Sequence, residues 1–151
     1  MAALHHQVWI NAPVAKVYEG LATAEGLGRW WAPHTSAQTE AGLVLTHSPG
    51  PEHGDVSMKV VGLVPDARVE WEIISTHPRR SPASAWTGTR IVFELATREN
   101  PGARLGVSGG GPYMTVLEFR HSGWDEGSEY FGFCNFAWGA TLMMLKQWCE
   151  A

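Results

Sequence analysis

Between about residue 41 and residue 121 apolar side chains recur at every second position, whereas on either side of that stretch they recur every three to four. Period two is the signature of strands with one buried face, and period 3.6 that of amphipathic helices. Gly, Pro, Ser and Asn clusters divide the middle stretch into strands near 41–46, 55–64, 67–76, 88–97 and 112–121. With no helical pattern between them, neighbouring strands must pair antiparallel. Pro65-Asp66 marks a turn between the second and third, because proline presets a turn dihedral and aspartate can bond its own backbone. Segments 47–54, 77–87 and 98–111 read as longer loops.

The flanks supply the cover. Residues 4–11 read as a strand carrying His5-His6, and Asn11-Ala12-Pro13 then starts a helix with proline at its first position. Val14, Val17, Tyr18 and Leu21 give that helix one buried face. Thr23 caps a second short helix, in which Leu27, Trp30 and Trp31 repeat the spacing before Pro33 stops it. After Gly123 a single long helix closes the chain, with Tyr130, Phe133, Cys134, Ala137, Thr141, Met144, Leu145 and Trp148 on one stripe. Glu126 and Glu129 precede Lys146 in the charge order a helix dipole favours. Phe131, Trp138 and Leu142 lie off that stripe, so the helix is covered on more than one side. One side meets the sheet, and the other meets the short helices or a second subunit.

Strand parity assigns side chains to faces. Tyr113, Thr115, Leu117, Phe119 and His121 share one face of the last strand, with Val69, Trp71 and Ile73 and then Ile91, Phe93 and Leu95 inward on the two before it. Charges at Glu70, Glu72, Arg90 and Glu94 fall outside. The inner surface is therefore aromatic and aliphatic with few polar groups, which suits an apolar ligand fixed by one or two hydrogen bonds. The tandem indoles Trp30 and Trp31 point the same way, since both rings need cover and both N–H groups a partner. His121 is the candidate for acid–base work, because an unperturbed histidine titrates near pH 6.5.

Other classes recede. At 151 residues the chain has the length of one domain, 1–151, able to bury a core without metal or disulfide. A formal charge of −4, from 11 basic and 15 acidic residues, offers no basic stripe to nucleic acid. With 11% aromatic and only 17% charged residues, something large and apolar is being covered. No apolar run reaches the roughly 20 residues that span a bilayer, so no membrane insertion is expected. Cys134 and Cys149 lie fifteen residues apart on one helix, roughly 22 Å, too far to bridge. Free thiols fit a reducing cytoplasm. No His-x-x-x-His pair suggests a metal, and no cofactor motif occurs. His34, His47 and His53 fall in loops. Gly106-Val107-Ser108-Gly109-Gly110-Gly111 lacks a following Lys-Ser or Lys-Thr and precedes a strand, so it reads as a flexible loop rather than a phosphate loop. The chain has no Gly-x-Ser-x-Gly elbow.

The order strand, two helices, five antiparallel strands and a long terminal helix resembles the START-like, or SRPBCC, helix-grip superfamily. Ala12-Pro13 with Val17-Tyr18, then Arg29-Trp30-Trp31-Ala32-Pro33, then Phe119-Arg120-His121-Ser122-Gly123-Trp124 resemble the activator-of-heat-shock-protein-ATPase-homologue branch, over residues 5 to 148. The resemblance implies an α+β fold in which a curved antiparallel sheet of about six strands grips the terminal helix around a hydrophobic tunnel. Its members hold lipids, polyketides or other apolar molecules, and include carriers, receptors, cyclases and co-chaperone modules.

The expectation is a container for a small apolar ligand touching Trp31, Trp71, Phe93, Tyr113, Phe119, His121, Phe133 and Ala137, without required catalysis. The enzymatic alternative is a cyclase or dehydratase with His121 as general acid or base and Tyr113 as donor to an oxyanion. A third is a stress-related interaction module or homodimer, which requires an exposed apolar patch.

Overall fold

The computed structural model describes residues 1–106 and 110–151. The chain runs β1 (Ala2–Ile10), α1 (Val14–Ala22), α2 (Ala24–Trp30), β2 (Thr35–Thr39), β3 (Gly42–His47), β4 (Val56–Val64), β5 (Arg68–Ile73), a 3₁₀ turn (Pro82–Ala85), β6 (Arg90–Glu99), α3 (Pro101–Leu105), β7 (Tyr113–Trp124) and α4 (Phe131–Glu150). This is the helix-grip fold. The strands form one antiparallel sheet in the order β1-β7-β6-β5-β4-β3-β2. A bulge between Val60 and Gly62 of β4 adds bend to that side of the sheet.

The strand expected before the first loop has a partner the sequence did not betray, giving seven strands where six were expected. Thr35–Thr39 is exposed at every position, so it carries no apolar alternation to read. Elsewhere parity sets the faces. Val69, Trp71 and Ile73, Ile91, Phe93 and Leu95, and Thr115, Leu117, Phe119 and His121 are all buried. Arg68, Glu70, Arg90, Glu72 and Glu94 pair across the outer face at 2.8–3.3 Å. Each large aromatic ring in the core takes roughly 150–250 Å² out of water, about 4–6 kcal/mol of gross transfer free energy.

Local signals place the helices. Pro13 stands just outside α1 in an extended conformation, one position earlier than expected. Thr23 Oγ1 accepts from the Gly26 N–H at 2.9 Å and caps α2. The Pro65-Asp66 turn closes with the Ala67 N–H on the Val64 carbonyl and Asp66 at φ 60. Asn100 caps α3, which begins inside the expected loop 98–111, and Gly106 ends it in the left-handed region. Of the glycine-rich run 106–111, residues 107–109 lie outside the described residues.

α4 is anchored at its C-terminal end and rotated from the expected stripe. Lys146 Nζ donates to the Trp9 carbonyl at 2.6 Å and pairs with Glu150 at 2.7 Å, while Glu150 accepts from the Asn11 N–H at 2.7 Å. Trp148 packs so tightly on α1 that a Cβ at Gly20 would lie 2.8 Å from its ring. The buried side is Cys134, Trp138, Leu142, Leu145 and Cys149. Phe133 and Met144, expected inside, are exposed. Glu126 and Glu129 precede the helix, whose first turn has no acid and last turn no base, so the expected dipole pattern is absent.

Candidate functional site

Four elements bring aromatic side chains to one place beneath the first half of α4. α2 ends at Trp31, β3 ends at His47, the 3₁₀ turn delivers Trp86, and α4 lowers Trp138 between them. Trp138 stacks on Trp86 with ring centres 5.6 Å apart, and its ring lies 4.6 Å from Phe119 and 5.4 Å from Trp31. Trp31 stacks in turn on Trp71 at 6.4 Å, and Trp71 meets Phe93 edge-on at 5.0 Å. The tunnel expected between sheet and helix is thus occupied by the protein's own rings.

A polar thread runs through this packing. The Trp138 indole N–H donates to His121 Nδ1 at 3.2 Å, and His121 Nε2 lies 2.7 Å from Thr89 Oγ1. An indole N–H only donates, so Nδ1 accepts and Nε2 carries the proton, which goes to Thr89. The threonine hydroxyl then donates to the Trp86 carbonyl. Burial pushes the His121 pKa down to about 3, so the ring stays neutral. It is fully enclosed.

What remains open is a cleft above these rings. It has two adjoining lobes of about 190 Å³ and about 230 Å³ that share His47, Pro49, Trp86, Cys134 and Ala137. Trp31, Trp138 and Thr141 complete the smaller lobe. Phe133, Pro82, His53 and Ser81 are among the walls of the larger. His47 is drawn to about 4, first by burial and then by the neighbouring His34 and His77. His34, also lowered by burial, has its ring 4.6 Å from that of His47. Its Nδ1–H donates to the Ala32 carbonyl at 2.6 Å, and its Nε2 and His47 Nδ1 have no hydrogen-bond partner. Burial also raises the Cys134 thiol, which therefore stays protonated and is a poor nucleophile. Among the described residues no three His, Cys, Asp or Glu side chains gather as a metal-binding group. A larger hollow of about 580 Å³ on the sheet mixes Trp9, Val64, Leu95 and Val116 with the charged Arg68, Glu94, Arg98 and Glu118.

Of the sequence-predicted site residues, Trp31, Phe133 and Ala137 line the cleft. Trp71, Phe93, Phe119 and His121 lie sealed below it. Tyr113 is 62% exposed and pairs with Glu99 at the far end of the sheet. It has the inward parity of Phe119 but lies beyond the reach of α4. Eight residues of strand hold it roughly 26 Å from His121, so the two cannot serve one small substrate as acid–base group and oxyanion donor. Sequence reasoning missed His47, Trp86, Cys134 and Trp138 as neighbours of the site. It also treated His34 and His47 as separate loop residues, whereas β2 and β3 bring them together.

No family profile and no curated protein matches the chain. Solved structures do. The Aha1 dimer from Colwellia psychrerythraea is similar at 29% identity and a TM-score of 0.72, over 99% of this chain and 97% of that one. CalU16 from Micromonospora echinospora is similar at 14% identity and a TM-score of 0.65, over 96% of this chain and 72% of that one. DynU16, of the dynemicin biosynthetic locus, gives 15% identity and a TM-score of 0.68 over 99% of this chain and 47% of its own. No described helix is long and apolar enough to cross a membrane. The curved antiparallel sheet closed by one long C-terminal helix is the helix-grip architecture that this chain has in common with these structures.

Proposed function

We propose that the chain, as one START-like unit of the activator-of-heat-shock-protein-ATPase-homologue branch, binds a small flat apolar molecule in the cleft beneath the first half of α4. The observation that carries this reading is the set of walls: Trp31 and Trp86 line the smaller lobe and Trp86 and Phe133 the larger, with Pro49 and Ala137 common to both and Pro82 on the larger. Large rings on several sides favour offset stacking with a planar guest. Each lobe is smaller than the roughly 300 Å³ of a typical ligand pocket, so the guest is of one or two fused rings rather than a long lipid. His47, whose unprotonated form burial favours, supplies the polar contact. Nothing in this reading requires turnover, since His121 is enclosed and neutral and the hydroxyl of Tyr113 is remote. The likeness to Aha1 over 99% of the chain supports the branch assignment. Two unbridged cysteines, Cys134 and Cys149, support a cytoplasmic setting.

The test is an NMR titration with 2-naphthol, following the indole N–H signals. The resonances of Trp31 and Trp86 are expected to move together and to saturate. Ala137→Phe, which fills both lobes, is expected to remove the response while leaving the fold intact. Saturable shifts confined to other indoles, or undiminished shifts in the variant, would refute the assignment.

A further inference from the structure

The outward face of α4 is unlike that of a solvated helix. Phe133, Phe136, Met143 and Met144 are 59%, 77%, 46% and 40% exposed. With the exposed Ala140 and Gln147 they occupy about 100° of the helix circumference. From Phe131 to Leu145 no residue bears a charge. A surface helix ordinarily keeps charged and polar side chains on that side.

We propose that this face pairs with the same face of a second copy of the chain, and that the pairing walls the open side of the cleft. The spacing is self-complementary. Phe133 and Phe136 stand seven and four residues before Ala140, and Met144 and Gln147 stand four and seven after it. An antiparallel two-fold axis at Ala140 therefore sets Phe136 of one copy on Met144 of the partner subunit, a ring against a thioether. The small side chain at the axis lets the two helices approach closely. An isologous contact of this kind uses the whole face and closes, leaving no sticky surface to extend into a fibre. The face also lacks the charges with which an unlike partner would be selected.

The area decides the strength. The four exposed side chains present about 400 Å² of apolar surface per copy, comparable with the largest patch on an ordinary monomer. Two such patches reach about 800 Å², below the 1,200–2,000 Å² of a stable interface, so the pair dissociates on dilution. Phe133 links this face to the site, because it is also a wall of the larger lobe. In the antiparallel register Gln147 of the partner subunit lies over Phe133. The inference rests on the cleft being the ligand site, and its test separates the two.

Sedimentation equilibrium on the full chain, from about 5 to about 500 µM, is expected to give a monomer–dimer equilibrium in the upper part of that range. Phe136→Glu is expected to be monomeric throughout with an unchanged melting temperature, and adding Met144→Lys to it is expected to restore the dimer, since each Glu then faces a Lys across the axis. With 2-naphthol as probe, Phe136→Glu is expected to bind at least about fivefold more weakly than the wild-type dimer. A monomeric wild type, or a dimeric Phe136→Glu, overturns the pairing. Loss of the dimer with unchanged 2-naphthol affinity overturns the wall. A wild-type dimer that takes no 2-naphthol sustains the pairing and overturns both the wall and the ligand reading.

Discussion

The two faces of α4 carry much the same kinds of side chain and meet opposite fates. Inward lie Cys134, Trp138, Leu142, Leu145 and Cys149, all buried. Outward lie Phe133, Phe136, Met143 and Met144, all exposed. A helix that is apolar on every side has no preferred stripe of its own, so what it buries is decided by what the rest of the chain offers. Here the offer is specific. His121 presents an acceptor to the Trp138 N–H, and Trp86, Phe119 and Trp31 leave a slot of the shape of an indole. The outward face has no such counterpart among the described residues.

That contrast can be broken most forcefully at Trp138. Trp138→Ala removes the ring that fills the slot and leaves His121 Nδ1 without its donor, and chemical denaturation is expected to report a loss of about 3–5 kcal/mol. A loss under about 1 kcal/mol would mean that the inner face is no more committed than the outer. Acid also acts on the buried side alone. His47 and His121 have folded pKa values of about 4 and about 3, below the ordinary 6.5. Their stabilising contribution is complete above pH 6.5. As pH falls through that value the unfolded chain takes up protons that the folded chain refuses, down to about pH 4 and about pH 3 respectively. Stability is expected to decline by about 1.4 kcal/mol per pH unit for each histidine. Urea midpoints at pH 7.5 and 5 measure this decline, to which His34, lowered in the same direction, also adds; His121→Asn is expected to reduce it and Phe136→Ala to leave it untouched. Smallest of all is the effect of Phe136→Ala on monomer stability, within about 0.5 kcal/mol by the same titration, because its ring is bathed in water in the single chain.

The faces of β5, β6 and β7 were legible because a period of two needs only the sequence and one buried side. The reach of the cover was not legible. Tyr113 and Phe119 have the same parity on β7, yet one is exposed and the other sealed, since α4 overlies only one of them. β2 was invisible for the opposite reason, being exposed on both faces. Within the site, Trp31, Phe133 and Ala137 came from helical spacing and the tandem indoles. Trp86 was hidden in a loop, where no period exists to flag it, although a large ring amid Ser, Pro and Gly was itself a signal of something to cover. The approach of His34 to His47 depends on a hairpin whose first strand carries no pattern. The expected tunnel failed on volume, a quantity that face assignment leaves open: enough rings point inward to fill the space they enclose.

The bond from Trp138 to His121 gives the protein an internal gauge. Trp30 and Trp9 direct their indole hydrogens at oxygens, of Gly20 and Gln7 respectively, whereas Trp138 directs its hydrogen at an imidazole nitrogen. Its proton resonance is accordingly set apart by the chemistry of its acceptor, and its ring is a wall of the smaller lobe of the cleft. Entry of a guest, or a proton arriving on the ring below, would register at one line of the spectrum without any label being attached.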